Sequence, residues 1–325
     1  MKKYLSEINI VKAFGIMLVV VGHAFPDASS TSGIGNIVGK TIYDIIYSFH
    51  MATFVFASGV VSYKYYIGIN QKKEAIKKRF FRLMIPYFVW GLIYIPFKVV
   101  LNRFANEPFY LDNIWTLLLG NNPYSGLWFL YTLFFIALFH IIIVDNDRKL
   151  KIIFFISLLC LVINQRIVIA EPLNWFFSYS FFYYFGMIFK KYYKYFTYFF
   201  KHKFCFIVTF TLFSFLFFLK ENLKCQIFYL NTLTAISGIF MIYSISYLFK
   251  NNKLLDLYGK YSMDVYIFSG PILVALRILL FKILGIDYYV YTILAIILGC
   301  VLPFLLSNLF VRNNKHISLL LLGLK

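Results

Sequence analysis

Of the 325 residues, 61% are hydrophobic and 22% aromatic while only 14% carry charge, a balance that excludes an ordinary soluble domain. Net charge is +19, which in a soluble protein would point to nucleic acid. Here the cations gather in alternate loops between apolar runs, so the partner they imply is a lipid bilayer, with no nucleic acid.

The apolar runs, each near the ~20 residues that cross a bilayer, predict an all-α, polytopic integral membrane bundle of about ten helices. It reads as a single domain over residues 1–325, because no outer loop is large enough for a separate folded unit and no internal repeat is visible. The spans are expected near 8–25, 41–63, 83–101, 127–144, 152–169, 174–189, 204–219, 227–249, 264–284 and 290–311. Most of the 32 Lys and Arg fall in the termini and in the loops near 64–82, 145–151, 190–203 and 250–263. The positive-inside rule then puts both ends inside, in a multi-pass protein of the cell membrane.

The first span carries Lys12 and His23 in an otherwise apolar run. Their separation is close to three helical turns, so both leave one face, roughly 16 Å apart along the axis. Asn9, Gly15, Val19 and Gly22 lie on or near that stripe. Ionisable groups inside hydrocarbon are costly and usually face a cavity or a partner, so the pair predicts a lined path rather than two snorkelling side chains. Met1-Lys2-Lys3 before an apolar run imitates a secretory signal, but Lys12 interrupts the run and no small-residue cleavage site follows, so the segment is expected to stay.

The second span places His50 near the bilayer midplane, roughly 13 Å from its outer end, with Thr53 and Ala57 on the same face. In the following inner loop, Lys77-Lys78-Arg79-Phe80-Phe81-Arg82 offers an i, i+3 arginine pair that on an α-helix would present two guanidinium forks side by side, a geometry suited to phosphates. The outer loop Asn102–Gly126 holds Glu107, Asp112 and Trp115, and Trp128 opens the fourth span among other aromatics of an interfacial belt. Arg277 lies deep in the ninth span, beyond Pro271. His140, His202 and His316 read as interfacial residues. Cys160, Cys205, Cys225 and Cys300 show neither paired nor metal-ligand spacing, so no disulfide framework and no metal is expected.

Ile10-Val11-Lys12-Ala13-Phe14-Gly15 to Val20-Val21-Gly22-His23, with Phe49-His50-Met51 to Ala57-Ser58-Gly59, resembles the opening of the acyltransferase-3 family of bacterial membrane proteins. Arg79 and Arg82 before Ile85-Pro86-Tyr87, then Leu127-Trp128-Phe129-Leu130 and Tyr184 to Gly186, follow in that family's order. The resemblance implies a fucose-type or capsule-modifying O-acetylase that moves an acyl group, acetyl by preference, from cytoplasmic acetyl-coenzyme A to a hydroxyl of an extracytoplasmic or lipid-linked carbohydrate. It implies His23, Lys12 and His50 as catalytic residues and Arg79 and Arg82 as the basic pair near the coenzyme; neighbouring Lys78 is expected to help bind the coenzyme, Trp128 and Arg277 to contact the substrate, and the chain to form a homo-oligomer. In the penultimate span, where many relatives read Tyr-x-x-His-x-Pro, this chain has Tyr266-Ile267-Phe268-Ser269-Gly270-Pro271, which removes a histidine. A transporter or flippase of a glycan or small anionic metabolite is the alternative, since it too needs charges at several depths.

Overall fold

The computed structural model describes residues 5–26, 36–100, 111–167, 169–223 and 228–324, so Glu107 and Cys225 lie outside the described residues. Among the described residues every regular element is helical. In chain order the α-helices are α1 (Ser6–Ala24), α2 (Ile37–Tyr47), α3 (His50–Ser62), α4 (Ile69–Arg79), α5 (Ile85–Val100), α6 (Trp128–Ile143), α7 (Asp147–Asn164) and α8 (Leu173–Lys191). They continue with α9 (Tyr193–Phe200), α10 (Phe204–Asn222), α11 (Phe228–Leu248), α12 (Lys253–Lys260), α13 (Ser262–Leu276), α14 (Tyr288–Leu306) and α15 (Lys315–Leu322).

Among the described residues, 8 helical stretches are long and apolar enough to cross a membrane: Ser6–Ala24, Ile37–Ser62, Ile69–Val100, Ser125–Ile143, Phe204–Asn222, Tyr229–Leu248, Ser262–Ile283 and Tyr288–Val311. The expected fifth and sixth spans fold as α7 and α8 but are less apolar. Helix α7 opens on Asp147, Arg148, Lys149 and Lys151, and α8 mixes Asn174, serines and tyrosines into its run. The expected second span is not one straight helix but α2 and α3, separated at Ser48 and Phe49.

The chain divides into two compact units, one from Met1–Tyr63 with Phe182–Phe304, the other from Lys64–Phe181 with Leu305–Lys325. In the first unit α1 packs on α3, α11, α12 and α13. Ile8, Ile10, Ala13, Ile16 and Val20 are all fully buried there, so α1 is a protein-enclosed helix rather than a lipid-facing one. Helices this close need small residues where backbones meet. A side chain on Gly59 of α3 would run into the Tyr183 carbonyl of α8, and one on Gly186 of α8 into the Phe56 carbonyl of α3, so the two glycines act as a reciprocal pair. Gly259 of α12 lies against the Asn9 carbonyl in the same way. Beside it Asn9 Nδ2 donates to Asp256 Oδ1 at 2.9 Å, and Lys260 Nζ pairs with Asp256 Oδ2 at 2.9 Å.

In the second unit α4 continues through a π-helical turn, Phe80–Met84, into α5. Helix ends are satisfied by side chains, as orphan carbonyls require. Lys72 Nζ donates to the Ile142 carbonyl at the end of α6, at 2.7 Å. Arg82 Nη1 donates to the Leu322 carbonyl at 2.7 Å and Trp90 Nε1 to the Leu321 carbonyl at 3.1 Å, which fastens the end of α15. His140, almost fully buried, donates from Nε2 to the Lys64 carbonyl at 3.0 Å, a structural role rather than the interfacial one expected.

Candidate active site

His23 sits in the last turn of α1. Pro26 explains why the helix stops there: it disfavours helical backbone at the residue before it, and Phe25 is extended at φ −65°, ψ 139°. The His23 ring is exposed, whereas its neighbours Gly22 and Ala24 are buried. Helix α2 brings the residue that meets it. Asn36 caps α2 by accepting from the Val38 and Gly39 N–H groups at 3.0 and 3.1 Å, and Tyr47 closes the helix at its other end. The Tyr47 hydroxyl lies 3.1 Å from His23 Nε2 and 3.4 Å from Nδ1.

The break after Tyr47 also places His50. Ending α2 frees carbonyls, and two of them find side-chain donors. Ser48 Oγ donates to Ile45 at 2.6 Å, and His50 Nδ1 donates to Ile46 at 2.8 Å. Because a carbonyl only accepts, the proton of His50 is on Nδ1. His50 is 2% exposed and its ring meets the Tyr47 ring at 4.5 Å, centroid to centroid. His23, Tyr47 and His50 therefore form one cluster from α1, α2 and α3.

Arg277 follows directly on α13. It opens a π-helical stretch, Arg277–Ile283, a wider turn of the kind often found at functional sites. Lys12 is half-buried on α1, three turns before His23. Ser269, in the Tyr266–Pro271 stretch, is 3% exposed and donates only weakly, to the Tyr266 carbonyl at 3.4 Å.

The remaining expected residues belong to the second unit. A cavity of about 420 Å³ is lined by Glu74, Lys77, Lys78, Phe81, Arg82, Gly323 and Leu324. Lys78 and Arg82 thus share a basic cavity, and Arg79 is not among its lining residues. Between the two arginines the helix passes into the π-helical turn Phe80–Met84, so the α-helical spacing assumed for them does not continue through Arg82. Trp128 packs at a tilt against Trp175 and Tyr179 at centroid distances of 5.4 and 5.2 Å, and Glu171 fixes Trp175 by accepting its indole N–H at 2.9 Å. Among the described residues no group of His, Cys, Asp and Glu is arranged to hold a metal ion.

Sequence reasoning missed Tyr47. It lies 24 residues from His23, and nothing in either helix's periodicity joins them. The available signal was local: Gly22 beside His23 announces that some bulky group comes close to α1.

The model of the acyltransferase-3 family, described as an acyltransferase domain, matches residues 5–312, and the chain belongs to that family. It is thus a membrane acyltransferase by family. No curated protein and no solved structure matches it.

Proposed function

We propose that the protein is a membrane-bound O-acyltransferase that takes an acyl group, acetyl in the first instance, from cytoplasmic acyl-coenzyme A and delivers it to a hydroxyl of an extracytoplasmic or lipid-linked carbohydrate. Both chain ends lie inside the cell membrane on this reading, following the distribution of Lys and Arg. The observation that carries it is the exposed His23 residue at the end of α1, with the Tyr47 hydroxyl 3.1 Å from its Nε2.

In this reaction neutral His23 takes the proton of the acceptor hydroxyl as its oxygen attacks the acyl carbon, and the coenzyme leaves as a thiol after receiving that proton. General-base catalysis of this kind typically accelerates a reaction by about 10²- to 10⁴-fold. Arg277 binds the substrate and faces the negative charge that develops on the acyl oxygen. Lys12, lower on the same helix, lines the approach of the donor arm. His50 supports the site through the Tyr47 ring, since its Nδ1 is committed to the Ile46 carbonyl.

The donor's phosphates require cations in a recess. The cavity bearing Lys77, Lys78 and Arg82 fits that need, with about 420 Å³ and three cationic side chains against one carboxylate, Glu74. Arg79 contributes to the same basic surface. Trp128 offers an aromatic face to the acceptor sugar.

The test is release of free coenzyme A from acetyl-coenzyme A by purified protein with membrane glycan extract, comparing wild type with His23→Ala. Release that depends on His23 and deposits acetyl on glycan is the expected result. Absence of release from folded wild type across several acyl donors would overturn the reading. Recovery of acyl-His23 by mass spectrometry under turnover would replace the base by a covalent carrier.

A further inference from the structure

We infer that helix α9, with the lysines on either side of it, is a docking site for the headgroups of anionic phospholipids in the adjacent leaflet.

The sequence supplies the charge. Residues 190–203 hold five lysines, Lys190, Lys191, Lys194, Lys201 and Lys203, and the chain has no carboxylate between Glu171 and Glu221. Four to eight cations beside a membrane helix or on an amphipathic one are the pattern that binds acidic lipid, each contributing about fivefold in affinity near the surface. Topology alone asks for cations in such a loop, but it does not ask for the aromatic face that accompanies them here.

The fold makes α9 two-sided. It links α8 to α10, and one of its sides is pinned to the first unit. Phe196 stacks on Phe189 of α8 at 4.4 Å with 23° between the planes. Phe200 is buried and meets Phe240 and Tyr243 of α11 at 5.6 and 4.9 Å. The helical period then puts Lys194, Tyr195, Tyr198 and Phe199 on the opposite side. Lysine heads and rings interleave around the start of the helix, with Lys190 Nζ 4.9 Å from the Tyr193 ring and Lys191 Nζ 5.6 Å from the Tyr192 ring.

Shape decides the occupant. Tyr195 and Tyr198 are 78% and 75% exposed, so they stand out of the protein rather than line a recess. A nucleotide needs donors that converge on it, whereas a projecting ridge of rings with ammonium groups at both ends meets a plane of phosphodiesters. In that contact the Tyr195, Tyr198 and Phe199 rings enter the boundary between headgroups and acyl chains, the phenol oxygens staying wet. Lys194, Lys201 and Lys203 pair with lipid phosphates.

The test is native mass spectrometry of the full chain in detergent, equilibrated with equal amounts of phosphatidylglycerol and phosphatidylcholine. Wild type is expected to retain phosphatidylglycerol in preference to phosphatidylcholine by about fivefold or more. Lys194→Gln/Lys201→Gln/Lys203→Gln is expected to lose that preference. Arg148→Gln/Lys151→Gln/Lys315→Gln, which removes the same charge from the second unit, is expected to keep it. Tyr195→Ser/Tyr198→Ser should retain less of either lipid. The inference is overturned by a wild type without preference, by a preference that survives in the α9 lysine variant, by equal loss in both triple variants, or by unchanged retention in the tyrosine variant. Displacement of the retained lipid by free coenzyme A would assign the patch to the acyl donor, and a lipid-free dimer abolished by Tyr195→Ser/Tyr198→Ser would make it a contact between copies. Either result also overturns the inference.

Discussion

Gly22 and Tyr47 are a matched pair: a methyl group on Gly22 would come within 2.9 Å of Tyr47 Cε2, and the tyrosine cannot retreat because Tyr43 stacks behind it at 3.7 Å. The glycine next to His23 thus has a steric purpose that concerns another helix.

Gly22→Ala is therefore expected to move the Tyr47 hydroxyl away from His23 while leaving the core of α1 in place. Acetyl transfer should fall about tenfold, because misplacing a supporting group by about 1 Å costs up to 10²-fold. Thermal melting in detergent should change by only a few degrees. A variant as active as wild type would show that Tyr47 has no bearing on catalysis.

Lys78 and Arg82 line the same cavity but do different work. Lys78 is exposed, whereas Arg82 also holds the Leu322 carbonyl at 2.7 Å. Lys78→Ala should raise KM for acetyl-coenzyme A several-fold without altering the melting temperature. Arg82→Ala should raise KM and also destabilise the fold, by about 1.5–3 kcal/mol for a charged hydrogen bond. Donor kinetics and melting measured on the two variants together separate the effects. Equal melting temperatures would mean that the Arg82 bond to Leu322 contributes nothing to stability.

Gly259→Ala tests the packing of α12 on α1. The added methyl would meet the Asn9 backbone rather than a side chain that can swing aside. Overpacking typically costs about 1–3 kcal/mol, and a backbone obstacle puts this case at the upper end. A lower melting temperature is expected, with transfer by the folded fraction retained, since His23 lies at the other end of α1.

His50→Asn keeps a donor at the position of Nδ1 and should preserve the bond to the Ile46 carbonyl. Transfer is expected to stay within about fivefold of wild type, while His50→Phe, which lacks the donor, loses about 1 kcal/mol or more of stability. A loss in His50→Asn as deep as that of His23→Ala would give His50 a direct part in the chemistry instead.

Much of the architecture could be read from one-dimensional pattern. Apolar runs marked most of the spans, and the spacing of Lys12 and His23 holds along the unbroken α1. The departures share one cause, which is that local backbone geometry departs from the regular period. A π-helical turn occupies Phe80–Met84, directly after Arg79, and no residue in that stretch signals it. The interruption at Ser48 and Phe49 was hidden within a run of helix-compatible residues, so His50 was read as a mid-span group rather than the first residue of a new helix. Tyr47 was one of 27 tyrosines, and only contact with a different helix distinguishes it from the rest.

The discontinuity of the first unit bears on how the chain is made. Residues Met1–Tyr63 leave the ribosome well before Phe182, the point at which the rest of their unit begins. At roughly 5–20 residues per second, the intervening stretch takes on the order of ten seconds to synthesise. During that interval α1 has neither α12 nor α13 to enclose it, and its half-buried Lys12 must be sheltered by the insertion machinery or by transient neighbours. The ionisable residues of this segment thus make it a poor stand-alone anchor, and its enclosure is complete only when helices encoded some two hundred residues later arrive.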